Sequence, residues 1–205
     1  MVKKLISIFT VCLVVVMCFA SCGALDFAKQ IIESVTYPGE YLIEYQITNE
    51  DGTVTSISKG VDSNGNFYYK DSSVEYLFIK NDKIYDEYQY VDGTWTKTDN
   101  SYTETKVNEL TNGINTYAEK SREQFNGQYE KGEEKTYLEK LCTEYTLTLK
   151  IGTFEQTYKM LVENETGICL QYYGISTVGS VETQKTGFEC TKFETQNLNF
   201  ASLIA

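Results

Sequence analysis

A chain of 205 residues with 18 Lys and Arg against 29 Asp and Glu has a formal charge of -11. So acidic a surface repels phosphate backbones and excludes nucleic-acid binding, which needs a basic footprint. The 17 Tyr, 10 Phe and one Trp point towards strands, and the absence of His removes the commonest general base and transition-metal ligand together.

The chain opens with Lys3 and Lys4, then an apolar run from Leu5 to Phe19 broken only by Ser7 and Thr10, and closes that run with Ala20-Ser21-Cys22. A run this short, ending in small residues rather than a charge cluster, is the layout of a secretory signal peptide. The cysteine behind the small pair resembles the lipobox of bacterial lipoproteins. That resemblance implies residues 1–21 as a cleaved signal, acylation of the Cys22 thiol, and an anchor on the outer face of the bacterial cell membrane, or of an outer membrane where the source has one. Cys12 and Cys18 lie inside the apolar run and lack small residues at both preceding positions. An uncleaved N-terminal anchor helix is the alternative, and it too holds the globule at a membrane. Removing 21 of 205 residues leaves 184, which suits a single domain over 22–205, and losing Lys3 and Lys4 takes the charge to about -13.

Leu25, Ile31, Ile32 and Val35 recur at near-helical spacing and predict a short amphipathic helix that ends before Pro38-Gly39. From Glu40 the period becomes two. Tyr41, Ile43, Tyr45 and Ile47 alternate with Leu42, Glu44 and Gln46, and the turn Asn49-Glu50-Asp51-Gly52 ends the run. Further strands are expected over Thr53 to Val61, Phe67 to Lys70, Val74 to Ile79, Ile84 to Val91 and Thr94 to Thr96, separated by Gly, Asn and Asp turns. This is the spacing of an antiparallel meander. A helical insertion is predicted over about 103–125, where Val107, Leu110, Ile114 and Tyr117 fall at intervals of three and four and Thr103 or Thr105 can cap. The charged stretch Glu130 to Lys135 reads as a solvated loop. Strands resume over Tyr137 to Ile151, Phe154 to Glu163, Ile168 to Tyr173, Val181 to Thr186 and Phe188 to Phe193, and the tail Leu198 to Ala205 either tucks in or frays.

No nucleophile elbow, phosphate loop or zinc motif is present, and the Asp62-Ser63-Asn64-Gly65-Asn66 turn lacks the terminal bidentate Glu of an EF-hand loop. No enzyme activity, cofactor or metal is expected. Of the cysteines beyond Cys22, Cys142, Cys169 and Cys190 could form one bridge, Cys169 with Cys190 being the pair to test first, or stay reduced as small buried hydrophobes. Tyr41 and Tyr45 share a strand face with Ile43 and Ile47, and Tyr88 and Tyr90 share one with Ile84. Each set is core, unless a curved sheet leaves it lining an apolar cleft.

Two stretches carry a second resemblance: Leu141-Cys142-Thr143-Glu144-Tyr145 opening a strand, and the hairpin from Tyr158-Lys159-Met160-Leu161-Val162-Glu163 through Asn164-Glu165-Thr166-Gly167 to Ile168-Cys169-Leu170. With the lipobox and the order of elements, they resemble the LolA-like and LppX-like lipoprotein carriers. The resemblance implies a mostly β, α+β fold: a curved antiparallel sheet, an unclosed barrel, with helices packed on the concave side. It also implies a lipid or other hydrophobic ligand in the concavity, for which Ile43, Tyr45, Ile47, Tyr88, Tyr90, Leu110 and Ile114 are the lining candidates. The alternative is a surface module that binds a glycan or protein partner through exposed Tyr residues and Trp95.

Overall fold

The computed structural model describes residues 35–120, 129–179 and 181–204, with backbone alone over 182–185. Cys22 and the helix expected before Pro38 therefore lie outside the described residues. Eleven antiparallel strands form one open sheet: β1 Tyr41–Thr48, β2 Val54–Val61, β3 Phe67–Lys70, β4 Glu75–Asn81, β5 Ile84–Val91, β6 Thr94–Tyr102, β7 Glu130–Tyr137, β8 Lys140–Ile151, β9 Phe154–Glu163, β10 Cys169–Val178 and β11 Val181–Glu194. Two meanders, β1 to β6 and β7 to β11, are joined where β1 pairs with β11, Ile43 opposite Phe193 and Ile47 opposite Phe188. The sheet order runs from β6 through β1 and β11 to β7, so among the described residues β6 and β7 are the two edges and the barrel does not close. This is the curved, mostly β architecture expected.

The turns fall where their chemistry puts them. Gly52, Gly65 and Gly167 have φ of 80°, 78° and 71°, and Asp92-Gly93 has 50° and 84°, the left-handed pair that a two-residue hairpin needs. Other boundaries differ from the sequence reading. The stretch expected as a loop is strand β7, paired with β8 from Glu130 opposite Thr146 to Tyr137 opposite Lys140. An edge strand exposed on both faces needs no apolar period, and its Lys and Glu residues discourage further pairing. The single strand expected from Tyr137 is cut by a turn at Leu138 and Glu139, with φ of 49° and 61°. The two strands expected at the end are one, because Gly187 lets β10 and β11 approach so closely that a Cβ there would lie 2.0 Å from the Tyr172 carbonyl oxygen.

Between the meanders the chain crosses the concave face as helix α1, Glu104–Leu110, a 3-10 turn, Asn112–Ile114, and helix α2, Asn115–Ala118. Thr103 caps α1 by accepting from the Lys106 N–H at 3.4 Å. Val107, Thr111, Ile114 and Ala118, spaced i, i+4, i+7 and i+11, are each 0% exposed. Val107 joins Phe67, Phe78 and Tyr85 in one apolar cluster, while Ile114 and Ala118 join the larger cluster around Ile43, Tyr45, Ile57 and Met160. A short helical segment thus binds two parts of the core.

Candidate functional site

Residues directly opposed in a ladder share a face of the sheet. Ile43, Tyr45 and Ile47 oppose Lys59, Ile57 and Thr55 on one side and Phe193, Cys190 and Phe188 on the other, which puts them on the covered, concave face. There they form core. Tyr45 is 0% exposed and donates its hydroxyl to the Cys169 carbonyl at 2.8 Å. Its ring meets Phe188 edge-on at 5.3 Å and Tyr117 at 6.0 Å, and Phe188 stacks in turn on Tyr172 at 5.7 Å. Ile43 and Ile114 are fully buried and Ile47 partly so in the same cluster.

Tyr88 and Tyr90 stand on the other face. Strand β5 carries aromatic residues at both parities, and its register, Phe78 opposite Glu87, turns Tyr85 and Glu87 inward instead. The Tyr85 ring meets Phe67 at 5.5 Å. Leu110 is 43% exposed. The apolar stripe passes through Thr111 because α1 ends at Leu110 and the chain tightens into the 3-10 turn. Thr111 enters the core because its hydroxyl donates to the Val107 carbonyl at 2.9 Å, which leaves no unsatisfied group.

Beside α1 the concave face holds a cavity of about 220 Å³, walled by Tyr69, Val74, Tyr76, Phe78 and Tyr102, with Leu110 at the helix side. Two carboxylates face it, and both already hold donors. Asp71 accepts from the Ser73 and Val74 N–H groups at 2.7 and 3.0 Å and from the Tyr69 hydroxyl at 3.1 Å. Glu87, 6% exposed, accepts from Thr98 Oγ1 at 2.8 Å and Asn100 Nδ2 at 3.0 Å. Burial pushes the Tyr76 and Tyr102 hydroxyls above the usual tyrosine range, with the Glu87 charge adding to it. The walls offer ring faces and hydroxyl oxygens able to accept, which suits an apolar guest with a small polar end. Sequence reasoning found Leu110 but not Tyr69, Tyr76 or Tyr102; the signal was their shared parity across the four strands β3 to β6, which needs the register.

Lys59 is the one buried lysine among the described residues, 5% exposed on the concave face between Ile43 and Tyr69. Burial pushes its amine down to about 8 against the opposing pull of the Glu119 carboxylate. Cys142, Cys169 and Cys190 are free and buried, so the pair considered for a bridge is two separate thiols. The Cys169 thiol donates to the Gln171 carbonyl at 3.2 Å and the Cys190 thiol to the Lys192 carbonyl at 3.1 Å, while burial pushes both up to about 12. Among the described residues no helix is long and apolar enough to cross a membrane.

No family model matches the sequence, and no curated protein matches it. Among solved structures the chain is similar in fold to MucB in its complex with MucA(peri), at 11% identity and a TM-score of 0.40, covering 85% of this chain and 56% of that one. It is similar to the lipoprotein LppX of Mycobacterium tuberculosis at 10% identity and a TM-score of 0.38, covering 86% and 97% of the two chains. LprF from Mycobacterium bovis follows at 8% identity and 0.36, covering 84% and 94%.

Proposed function

We propose that this protein is a non-enzymatic, lipid-anchored envelope protein that receives the apolar end of a lipid or other hydrophobic ligand on the concave face of its sheet. The observation that carries the reading is the aromatic-walled cavity beside α1, with Leu110 exposed at its rim. At about 220 Å³ the cavity falls below the roughly 300–1,000 Å³ of drug-sized sites. It takes one chain end or ring, and a longer guest has to lift α1. The anchor rests on the resemblance of the Lys3 to Cys22 stretch to a lipoprotein signal, and acylation at Cys22 would hold the domain close to the bilayer.

The test is native mass spectrometry with lipid extraction on a soluble form that begins after Cys22. A co-purified acyl-bearing ligand, lost in Leu110→Gln and Tyr76→Ala, is the expected result. A clean apo protein that also takes up no fatty acid from added vesicles overturns the reading.

A further inference from the structure

The outer face of the sheet, opposite the α1–α2 cover, carries a groove that the ligand reading above leaves unused. Pairing lays a transverse row across it: Lys192 opposes Glu44, Glu44 opposes Ser58, Ser58 opposes Lys70, and Lys70 opposes Glu75. One residue beyond the Tyr76–Gln89 pair the row continues to Tyr90, which opposes Trp95. From β11 to β6 this crosses six strand spacings, about 29 Å.

The C-terminal 3-10 segment Phe200–Ile204 forms the opposite wall. Asp62, 1% exposed, fixes it by accepting from the Phe200 N–H at 2.9 Å while closing its own turn on Asn64 and Asn66. The Phe200 ring lies over Gly60 and meets Tyr68 at 5.6 Å. Between row and wall runs an open groove of about 610 Å³.

We propose that this groove binds a neutral oligosaccharide. At one end Tyr90, 43% exposed, and Trp95 make an angled aromatic pair, centroids 5.2 Å apart and planes at 56°. Such rings pack against the C–H face of a pyranose and present a polar tip beside it. Along the floor the carboxylates are held in place. Glu75 is bound by Lys70 at 2.9 Å and by the Tyr68 hydroxyl at 2.9 Å, and Glu44 by Ser58 at 3.2 Å and Thr191 at 3.0 Å. Each such oxygen keeps a further lone pair for a ligand hydroxyl, Lys192 adds a donor at the end of the row, and Asn197 and Asn199 add donors along the opposite side.

This pattern selects the occupant. An acyl chain would strip water from fixed carboxylates and give nothing back. An anionic polymer meets Glu44, Glu75 and Glu194, whose charge exceeds that of Lys70 and Lys192. A neutral sugar satisfies both the flat apolar surface and the acceptors, and the length of the row fits several residues rather than one.

Trp95 is the single tryptophan of the chain and stands in the groove, so its emission reports occupancy. The full chain, in a sugar-free detergent, is titrated with glucose and N-acetylglucosamine hexamers. The expected result is a saturable emission change with at least one hexamer, weakened at least tenfold by Tyr90→Ala and several-fold by Glu75→Gln, and calorimetric loss of binding in Trp95→Ala. Tyr90 is exposed, so its variant keeps the fold even where Trp95→Ala does not. No saturable binding to either hexamer, or binding that Tyr90→Ala leaves unchanged, overturns the proposal. The concave-face variants Leu110→Gln and Tyr76→Ala leave sugar binding intact, so the two sites fail independently.

Discussion

Gly60→Ala tests how the C-terminal segment is held on the sheet. A Cβ at Gly60 would stand 2.4 Å from Phe200 Cζ, 2.9 Å from Cε2 and 2.9 Å from the Tyr41 carbonyl oxygen. The aromatic contacts can be relieved by swinging the ring out, whereas the backbone contact needs a small shift of β2. Overpacking of this kind costs about 1–3 kcal/mol. Phe200, 6% exposed, packs over Gly60 on the outer face, outside the two apolar clusters, so Phe200→Ala falls at the low end of buried phenylalanine losses, about 3 kcal/mol. In a domain this size 1 kcal/mol moves the melting temperature by roughly 2–4 °C. Gly60→Ala should therefore lower it by about 2–12 °C, measured by circular dichroism. The decisive figure comes from the double variant. With the ring gone the new methyl fills vacated space, so Gly60→Ala/Phe200→Ala should cost about 1–2 kcal/mol less than the sum of the single changes. Additive losses would refute the claim that Gly60 is glycine to admit the Phe200 ring.

Further outcomes follow from other parts of the molecule. Val107→Asp buries a charge between Phe67, Phe78 and Tyr85 and should unfold the domain or cost several kcal/mol, while Leu110→Asp, at a half-exposed position, should cost under about 1 kcal/mol; equal losses in denaturant titrations would contradict the stripe through Thr111. The folded protein binds the Lys59 proton less tightly than the unfolded chain, so the unfolded state holds more protons between about pH 8 and 10.5 and this residue's penalty is full below that window and relieved as pH rises through it. Lys59→Met should accordingly be more stable than the parent at pH 7, by up to about 3 kcal/mol, with the gap closing towards pH 10.5; a gap independent of pH would refute it. Cys22→Ala should abolish labelled palmitate incorporation, and unchanged labelling would move the acylation site. In a soluble form beginning after Cys22, three thiols should react with a chromogenic disulfide reagent in denaturant and essentially none when folded; a count of one in denaturant would mean a bridge.

Most of the architecture was legible from period and turn chemistry, because Gly52, Gly65, Asp92-Gly93 and Gly167 all take the left-handed conformations their sequences suggest. The failures share a cause. Strand β7 has no apolar period because an exposed edge strand needs none, and it is specified by its partner β8. Tyr88 and Tyr90 were grouped correctly with Ile84, yet which parity of β5 faces inward depends on the register against β4, a non-local fact. Thr111 was missed because a polar residue is an unexpected core member until its hydrogen bond to Val107 is seen. Likewise Asp62 reads as an ordinary turn residue, and its second duty to Phe200 spans 138 positions of chain.

The open sheet also explains why the concave face has to be filled. A closed barrel buries its inner face by curvature alone, but here β6 and β7 stay apart and the inner aromatic residues need a cover. The stripe Val107-Thr111-Ile114-Ala118 provides it, docked at one end on Phe67, Phe78 and Tyr85 and at the other on the cluster around Tyr45. The two contacts differ in strength. The Tyr45 end is a stack of interlocking rings, with Tyr117 and Phe188 5.2 Å apart, whereas the α1 end is held by Val107 and borders the cavity with Leu110 exposed. On the proposed function, a guest that competes with the cover should displace α1 before α2. Amide exchange should show it: apo protein protected least over Glu104–Leu110, with ligand raising protection there first, and uniform protection across 104–118 in both states would rule out entry beside α1.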